Sequence, residues 1–350
     1  AEIAARLAEH GRFSLLSRGD RTAAARHRTL RAVVEWSWSL LDAAEQALAR
    51  RFAVFTGGAT LEAVEHVCAS GGPPVADALA GLVDKSLVET DGERYRMLDT
   101  IRLFCLERLA ESSEEERVRR AHAAWFLEFA RRADDHLYGA GQLDRLARLS
   151  ADDANLWAAL RWSAEHDPAT GLRLTAALAM YWWLTGRRSR AAPHAARLLN
   201  RVGTEPPAEL AEEYVMAVLH AVPEAGSPHW RRAGQIVASL GRPMRYRFGT
   251  ALWAMIAGPP AEPADRGEMF RHDPWSRALG DLGLALLNVL DGAPAAAEPE
   301  LERVHAEFAR LGERWGTAQA LDWLAVIASW RGDWARAWRL WHEALALLEE

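Results

Sequence analysis

The sequence predicts a mostly α-helical chain, with a winged-helix domain followed by a solenoid of helical hairpins of the tetratricopeptide type. Three observations carry this prediction. Residues 317–348 spell one complete helical hairpin, with apolar or small residues at Leu321, Leu324, Ala325, Ala328, Gly332, Trp334, Ala337, Trp341 and Ala344. The turn glycine recurs upstream, Gly292 lying 40 residues before Gly332 and Gly258 lying 34 before Gly292. A single clear β-hairpin, residues 87–90 and 95–98 about a turn at Asp91-Gly92, follows a run of helical segments. Helices followed by a two-stranded ribbon make a winged helix, and stacked hairpins are built for recognition more often than for catalysis.

Residues 1–28 carry a short helix, a loop at Gly19 and the connector Arg26-His27-Arg28, and are expected to be the tail of an upstream helical domain. The tripeptide Arg18-Gly19-Asp20 matches an adhesion motif, but three residues without a secretory context are a chance match.

The winged-helix domain is assigned to residues 29–112. Its first helix shows apolar residues at Val33, Val34, Trp36, Leu40 and Leu41, near a 3.6 period. Asp42 followed by Glu45 is a capping box for a second helix, stopped by Gly57-Gly58. Thr60 caps a third, and Pro73-Pro74 precedes a fourth that ends near Asp84. The ribbon and a final helix complete the domain.

Residues 113–350 are expected to be helical throughout, with Gly or Pro breaks. Around Gly292 the small positions Ala285 and Ala297 recur with Leu284, Leu301 and Val304, and around Gly186 the pattern returns as Leu178, Ala179, Ala191, Ala195 and Leu198. Small residues let two helices of a hairpin approach, and large ones fill the gap to the next hairpin. The Pro/Gly-rich stretch over 257–273 departs from this template and is expected to be a loop or a shortened hairpin.

Bulk properties narrow the function classes. At 350 residues and 50% hydrophobic composition the chain can bury a sizeable core. No run approaches the ~18 to 20 apolar residues of a membrane span, and the first residues lack the apolar core of a secretory signal, so no membrane partner and a cytoplasmic location are expected. The chain opens without methionine and within a helical pattern, which suggests a piece of a longer protein. A net charge of −6 gives no global attraction to nucleic acid. Cys68 and Cys105 are too few and too far apart for a disulfide framework or zinc site and are expected to be buried thiols. Lys85 is the only lysine.

The search for catalytic chemistry comes back empty: there is no Gly-x-Ser-x-Gly elbow, no His-Glu-x-x-His and no phosphate loop, so the chain is not expected to be an enzyme by itself. The acid pairs Asp134-Asp135 and Asp152-Asp153 diverge around a helix and are expected to cap it or face solvent. The helix before the wing, residues 75–85, offers no Arg, Asn or Gln to a base edge and carries two carboxylates, which speaks against DNA reading; Arg94, Arg96 and Arg102 in and after the wing are the counter-evidence. Of the sixteen tryptophans, Trp334, Trp338 and Trp341 form one stripe at i, i+4 and i+7. Inter-hairpin packing explains such a stripe, because each ring can bury ~150 to 250 Å². The competing reading makes Trp334 and Trp338, with Trp182 and Trp183, a ligand or partner surface. Adjacent Trp182 and Trp183 point about 100° apart, one toward a core and one toward a concave face.

The run RHRTLRAVVEWSWSLLDAAEQALARRFAVFTGGATLEAVEHVC, then LVDKSLVETDGERYRMLDTIRLFCLERL, resembles the winged-helix portion of the signal-transducing (STAND, NB-ARC-type) NTPases, in particular AfsR/SARP-like and LuxR-like bacterial transcriptional regulators, and HAAWFLEFARRA matches the helix that follows. The resemblance covers about residues 1–135 closely and the repeats loosely. It implies a parent protein in which an effector domain and an ATP- or ADP-binding ATPase lie upstream, the winged helix is the lid of the nucleotide switch, and the repeats bind a ligand or protein. The expected partners are thus that upstream ATPase domain and an unidentified ligand or protein, with DNA reached only through the effector domain and no cofactor held within the chain itself. In that family a Met-His-Asp triplet ends the wing, its histidine touching the nucleotide's β-phosphate; the matching residues here are Met97, Leu98 and Asp99. Leucine cannot donate to phosphate, so the direct contact is lost and a polar role falls to Asp99, for which helix capping is the plainer account. An adaptor whose repeats bind a protein or peptide, with no nucleotide switch, remains the alternative.

Overall fold

The computed structural model describes residues 31–69, 74–221, 226–258, 270 and 273–349. The expected tail over 1–28, with its Arg-Gly-Asp tripeptide, and most of the Pro/Gly-rich stretch over 257–273 lie outside the described residues. Two compact units emerge, one running to Phe126 with Ala154–Ala159, the other made of Leu127–Asp153 and Leu160 onward.

The first unit opens with helix α1, residues 31–39. Helix α2, Ala43–Phe52, starts where the sequence says it should: Asp42 accepts from the amides of Ala44 and Glu45, while Glu45 reaches back to the Asp42 amide at 2.8 Å. Thr60 caps α3, Leu61–Cys68, through the Ala63 amide. Helix α4, Val75–Asp84, buries Leu79 and Leu82 against α2 and α3. The wing is β1, Glu89–Thr90, antiparallel to β2, Tyr95–Arg96, in the register Glu89 to Arg96 and Thr90 to Tyr95. It has a third member that sequence reading missed: Ala59 bridges Tyr95, exchanging bonds of 2.9 and 2.8 Å. Gly58 makes this possible, since its φ is +87° and a Cβ there would lie 2.6 Å from the Tyr95 carbonyl oxygen. Helix α5, Asp99–Ala110, packs on α2 and buries Phe104, Cys105 and Leu109.

The buried aromatics Phe52, Phe55, His122 and Phe126 form the centre of this unit, Phe55 lying 5.4 Å from the His122 ring. His122 belongs to α6, Glu115–Asp134. Arg50 and Arg51 both pair with Glu114, fastening α2 to the start of α6, and this burden of ion pairs holds the Glu114 carboxyl below its ordinary range despite partial burial.

The second unit contains the end of α6 and then α7 (Gln142–Ala151), most of α8 (Asp153–His166), α9 (Pro168–Ala177), α10 (Ala179–Leu184), α11 (Arg188–Val202), α12 (Ala211–Ala221), α13 (Pro228–Ser239), α14 (Arg247–Ala257), α15 (Pro274–Leu290), α16 (Pro294–Leu311), α17 (Arg314–Trp330) and α18 (Trp334–Glu349). From α15 to α18 each helix packs on the next, as a stack of hairpins requires. The predicted turn glycines Gly186, Gly258, Gly292 and Gly332 all take positive φ, between 67° and 89°. The small positions do what the pattern demands: Ala285, Ala297, Ala325 and Ala337 are fully buried.

One contact joins distant parts of this unit. Glu313 caps α17 by accepting the Trp315 and Gly316 amides at 3.2 and 2.6 Å, and also accepts from Gln142 Nε2 at 2.6 Å. Gln142 Oε1 in turn accepts the Arg314 amide, and Gly312, at φ +71°, lies so near Ala140 that a Cβ would come within 2.9 Å. Burial raises the pKa of Glu313.

Candidate functional site

Two places bear on function, one in each unit. The first is the end of the wing. Met97 is buried beneath β2, Leu98 is 53% exposed, and Asp99 projects into solvent from the first turn of α5. The N-cap of α5 is Leu98, which makes no side-chain cap, so Asp99 is not the capping residue that its position suggested; its carboxylate pairs with Arg102 at 3.3 Å instead. The three positions therefore present an aliphatic side chain and a carboxylate, neither of which donates to phosphate. They do not fit a direct nucleotide contact.

The outward face of α4 consists of Ala76, Asp77, Ala80 and Asp84, apolar or acidic throughout. Each arginine that could have offset this is engaged within the unit: Arg94 donates to the Gly58 carbonyl at 3.1 Å, Arg102 to the Ala53 carbonyl and to Asp99, and Arg96 pairs with Asp91 at 3.4 Å. Lys85, just past α4, donates to Glu45 Oε1 at 2.6 Å. A helix that meets DNA in the major groove needs donors or a bidentate amide on that face, and this one has neither.

The segment beneath the wing is fixed by a residue that the sequence did not single out. Asn155, fully buried, accepts the Thr56 amide at 2.7 Å and donates to the Gly58 carbonyl at 2.9 Å, while His122 Nε2 lies 3.5 Å from the same Asn155 oxygen. Burial pushes the pKa of His122 down to about 4.

The second place is in the repeat unit. Trp182 is buried, not on a recognition surface: its ring meets His220 edge-on at 5.2 Å. Burial drives the pKa of His220 down to about 3, and among the described residues neither of its ring nitrogens has a hydrogen-bond partner. Trp183, one residue on, is half-buried and faces an apolar cavity of about 490 Å³. Its ring stands 6.0 Å from that of Trp315 at 81°, and 5.3 Å from Phe248. Met255 of α14, Leu279, Leu282, Leu286 and Leu290 of α15, Gln319 of α17 and Phe270 are among its other walls. Gln319 supplies the polar side-chain amide, and among the described residues no charged side chain lines the cavity. Trp315 was not among the sequence candidates, and no local pattern in the sequence sets it apart from the other tryptophans.

Trp334 and Trp338 are 66% and 65% exposed, so they do not fill an inter-hairpin gap among the described residues. Trp341 does turn inward, donating from Nε1 to Asp322 at 2.9 Å. The acid pairs need correction as well. Asp134 is not on a solvated face: Tyr138 covers it and donates at 2.9 Å, and burial raises its pKa to about 7. Asp153 accepts from Tyr181 at 3.1 Å and pairs with Arg187 and Arg190. Cys68 and Cys105 are buried free thiols, as expected. Among the described residues no His, Cys, Asp or Glu cluster could hold a metal ion, and no helix is long and apolar enough to cross a membrane.

Comparison with known proteins agrees with the first unit. The family profile of the winged helix-turn-helix domain matches residues 41–110. A Mycobacterium tuberculosis protein described as a "Putative HTH-type transcriptional regulator" is 39% identical over 180 residues, which is 49% of this chain and 20% of that protein. An uncharacterized protein of the same organism is 38% identical over 115 residues, 31% of this chain and 29% of the other. The chain thus spans about a fifth of the length of the first of these relatives. Among solved structures, a STAND protein with a tetratricopeptide repeat sensor from Pyrococcus horikoshii aligns over 89% of this chain and 52% of its own, at 15% identity and a TM-score of 0.48.

Proposed function

We propose that the chain is the regulatory portion of a signal-transducing NTPase that controls transcription, with the winged helix as the lid of a nucleotide switch and the helical repeats as its sensor. The observation that carries this reading is the chemistry of the winged helix: its would-be reading helix shows solvent only alanines and aspartates, and the wing arginines are engaged inside the unit. A winged helix without DNA-reading groups is suited to a protein partner. The similarity of residues 41–110 to a helix-turn-helix domain and the regulator description of a relative support the same class. Because Leu98 and Asp99 offer phosphate no donor, the lid acts through its surface against the ATPase domain of the parent protein. The chain itself is then not an enzyme, it acts in the cytoplasm, and ATP or ADP belongs to the parent.

By linkage, a signal that binds the repeats can shift the lid only by its differential affinity for the open and closed states. The experiment is nucleotide exchange from the parent's ATPase module, measured with and without this chain. Slower exchange in its presence is expected; unchanged exchange would sink the switch. Retention of the isolated chain on duplex DNA, lost steeply with added salt, would instead indicate direct DNA binding.

A second reading, an adaptor with no switch, draws on the exposed Trp334 and Trp338, which suit a protein or peptide. A phosphate loop upstream of Ala1 in the parent decides for the switch, and a parent without one decides for the adaptor.

A further inference from the structure

The cavity walled by Trp183 and Trp315 is the feature that no comparison assigns. We infer that it is a binding site for an uncharged, largely apolar small molecule. The inference rests on the reading of the repeats as a sensor and names the chemistry of what they sense.

The concavity between helices has a volume of about 490 Å³ and opens to solvent on one side. It lies within the ~300 to 1,000 Å³ range of small-molecule sites. Its walls come from α10, α14, α15 and α17 together with Phe270, and Met255 and Leu290 in the lining are 47% and 73% exposed, apolar surface that water penalises and a ligand would cover.

The lining selects the class of ligand. An ion entering would lose hydration and meet no opposite charge among the described residues, which disfavours it against a neutral body. Arg188 lies over the Trp183 ring at 5.4 Å, but it donates to the Leu219 carbonyl at 3.3 Å and is not part of the described lining. Gln319 can accept or donate one hydrogen bond, enough to orient a single polar group. The two indoles, near perpendicular to each other, both line the cavity and suit a flat or branched apolar body. A macromolecular partner fits less well, because the accessible lining is a small fraction of the ~800 Å² per side that a stable protein interface uses.

Gly283 provides the test. It lines the cavity from the middle of α15, and a Cβ added there meets no atom within 4 Å, so a larger side chain can enter the space without displacing the wall. Replacing a mid-helix glycine also favours the helix. The whole 350-residue chain is titrated with the neutral probe N-phenyl-1-naphthylamine, and its binding is read by fluorescence. One saturable site is expected, weakened at least tenfold by Gly283→Leu and by Met255→Glu and unchanged by the remote Trp338→Ser. Should Gly283→Leu lose helical circular dichroism, Met255→Glu, a change at an exposed position, decides.

Absence of saturable binding, or binding that neither variant weakens, overturns the inference. So does equally tight binding of the anionic 1-anilinonaphthalene-8-sulfonate, which would show that charge is not excluded. A dimer in sedimentation that Gly283→Leu dissociates would make a second copy the occupant and also overturn it. The outcome is separable from that of the switch: probe binding that leaves nucleotide exchange in the parent untouched sinks only the switch.

Discussion

The Asn155 carboxamide oxygen accepts the Thr56 amide hydrogen at 2.7 Å, from 99 residues away in sequence. Through its nitrogen the same side chain holds the Gly58 carbonyl, so one residue fixes the strand-like segment against which the wing is laid. Truncation at Asn155 leaves a buried donor and a buried acceptor without partners. Asn155→Ala is expected to lower the stability of the first unit by about 2 to 6 kcal/mol, since each such group costs about 1 to 3. Urea denaturation checks the size, and faster hydrogen exchange at the Thr56 amide checks the place.

His122, against the same asparagine, should remain neutral in the fold down to about pH 4, whereas its ordinary value is 6.5. Its folded pKa is depressed, so its contribution is fully present above about pH 6.5 and is lost as pH falls toward and through 4. An NMR titration of the ring protons should show the low value, and His122→Gln should flatten the acid limb of stability.

Asp134 works in the opposite sense. Burial raises its folded pKa to about 7 from 3.8, so the fold is favoured below 3.8 and that advantage is lost as pH rises through 7. Asp134→Asn keeps an acceptor for the Tyr138 hydroxyl and removes the charge. The variant is expected to gain stability over the wild type at pH 8 and to gain little at pH 4, by paired denaturation curves.

Both thiols should be inert in the native chain. Burial pushes Cys68 and Cys105 up to about 12, leaving negligible thiolate at pH 8. Reaction with Ellman's reagent is expected to titrate no thiol in the folded protein and two per chain after denaturation.

The exposed stripe of Trp334, Trp338, Leu345 and Leu348 should drive weak self-association of the isolated chain. The double change Trp334→Ser and Trp338→Ser is expected to reduce it in sedimentation velocity, while stability moves by no more than about 0.5 kcal/mol.

What could be read from the sequence was local. The Asp42–Glu45 capping box, the Thr60 cap, the wing and the turn glycines all depend on residues a few positions apart, and each took the predicted form. The helical angle between Trp182 and Trp183 also foretold one ring inside and one on a concavity. Asn155, Glu313 and Asp134 were illegible because a polar residue on a helix has the same local pattern whether it meets solvent or a partner a hundred residues away. The cavity was hidden for a related reason: leucines on α15 that line it follow the same 3.6 period as leucines that pack. At Trp334 and Trp338 the period suggested burial, and the surface they face is set by tertiary neighbours.

The bond from Gln142 to Glu313 has a bearing on how the repeat unit can be assembled and taken apart. A linear array tolerates removal of a terminal hairpin, because each member leans only on its neighbours. Here a member near one end is latched to a turn 171 residues later, so nucleation at one site cannot simply propagate, and loop closure over that span must precede the latch. Trimming either end of the stack should therefore loosen both.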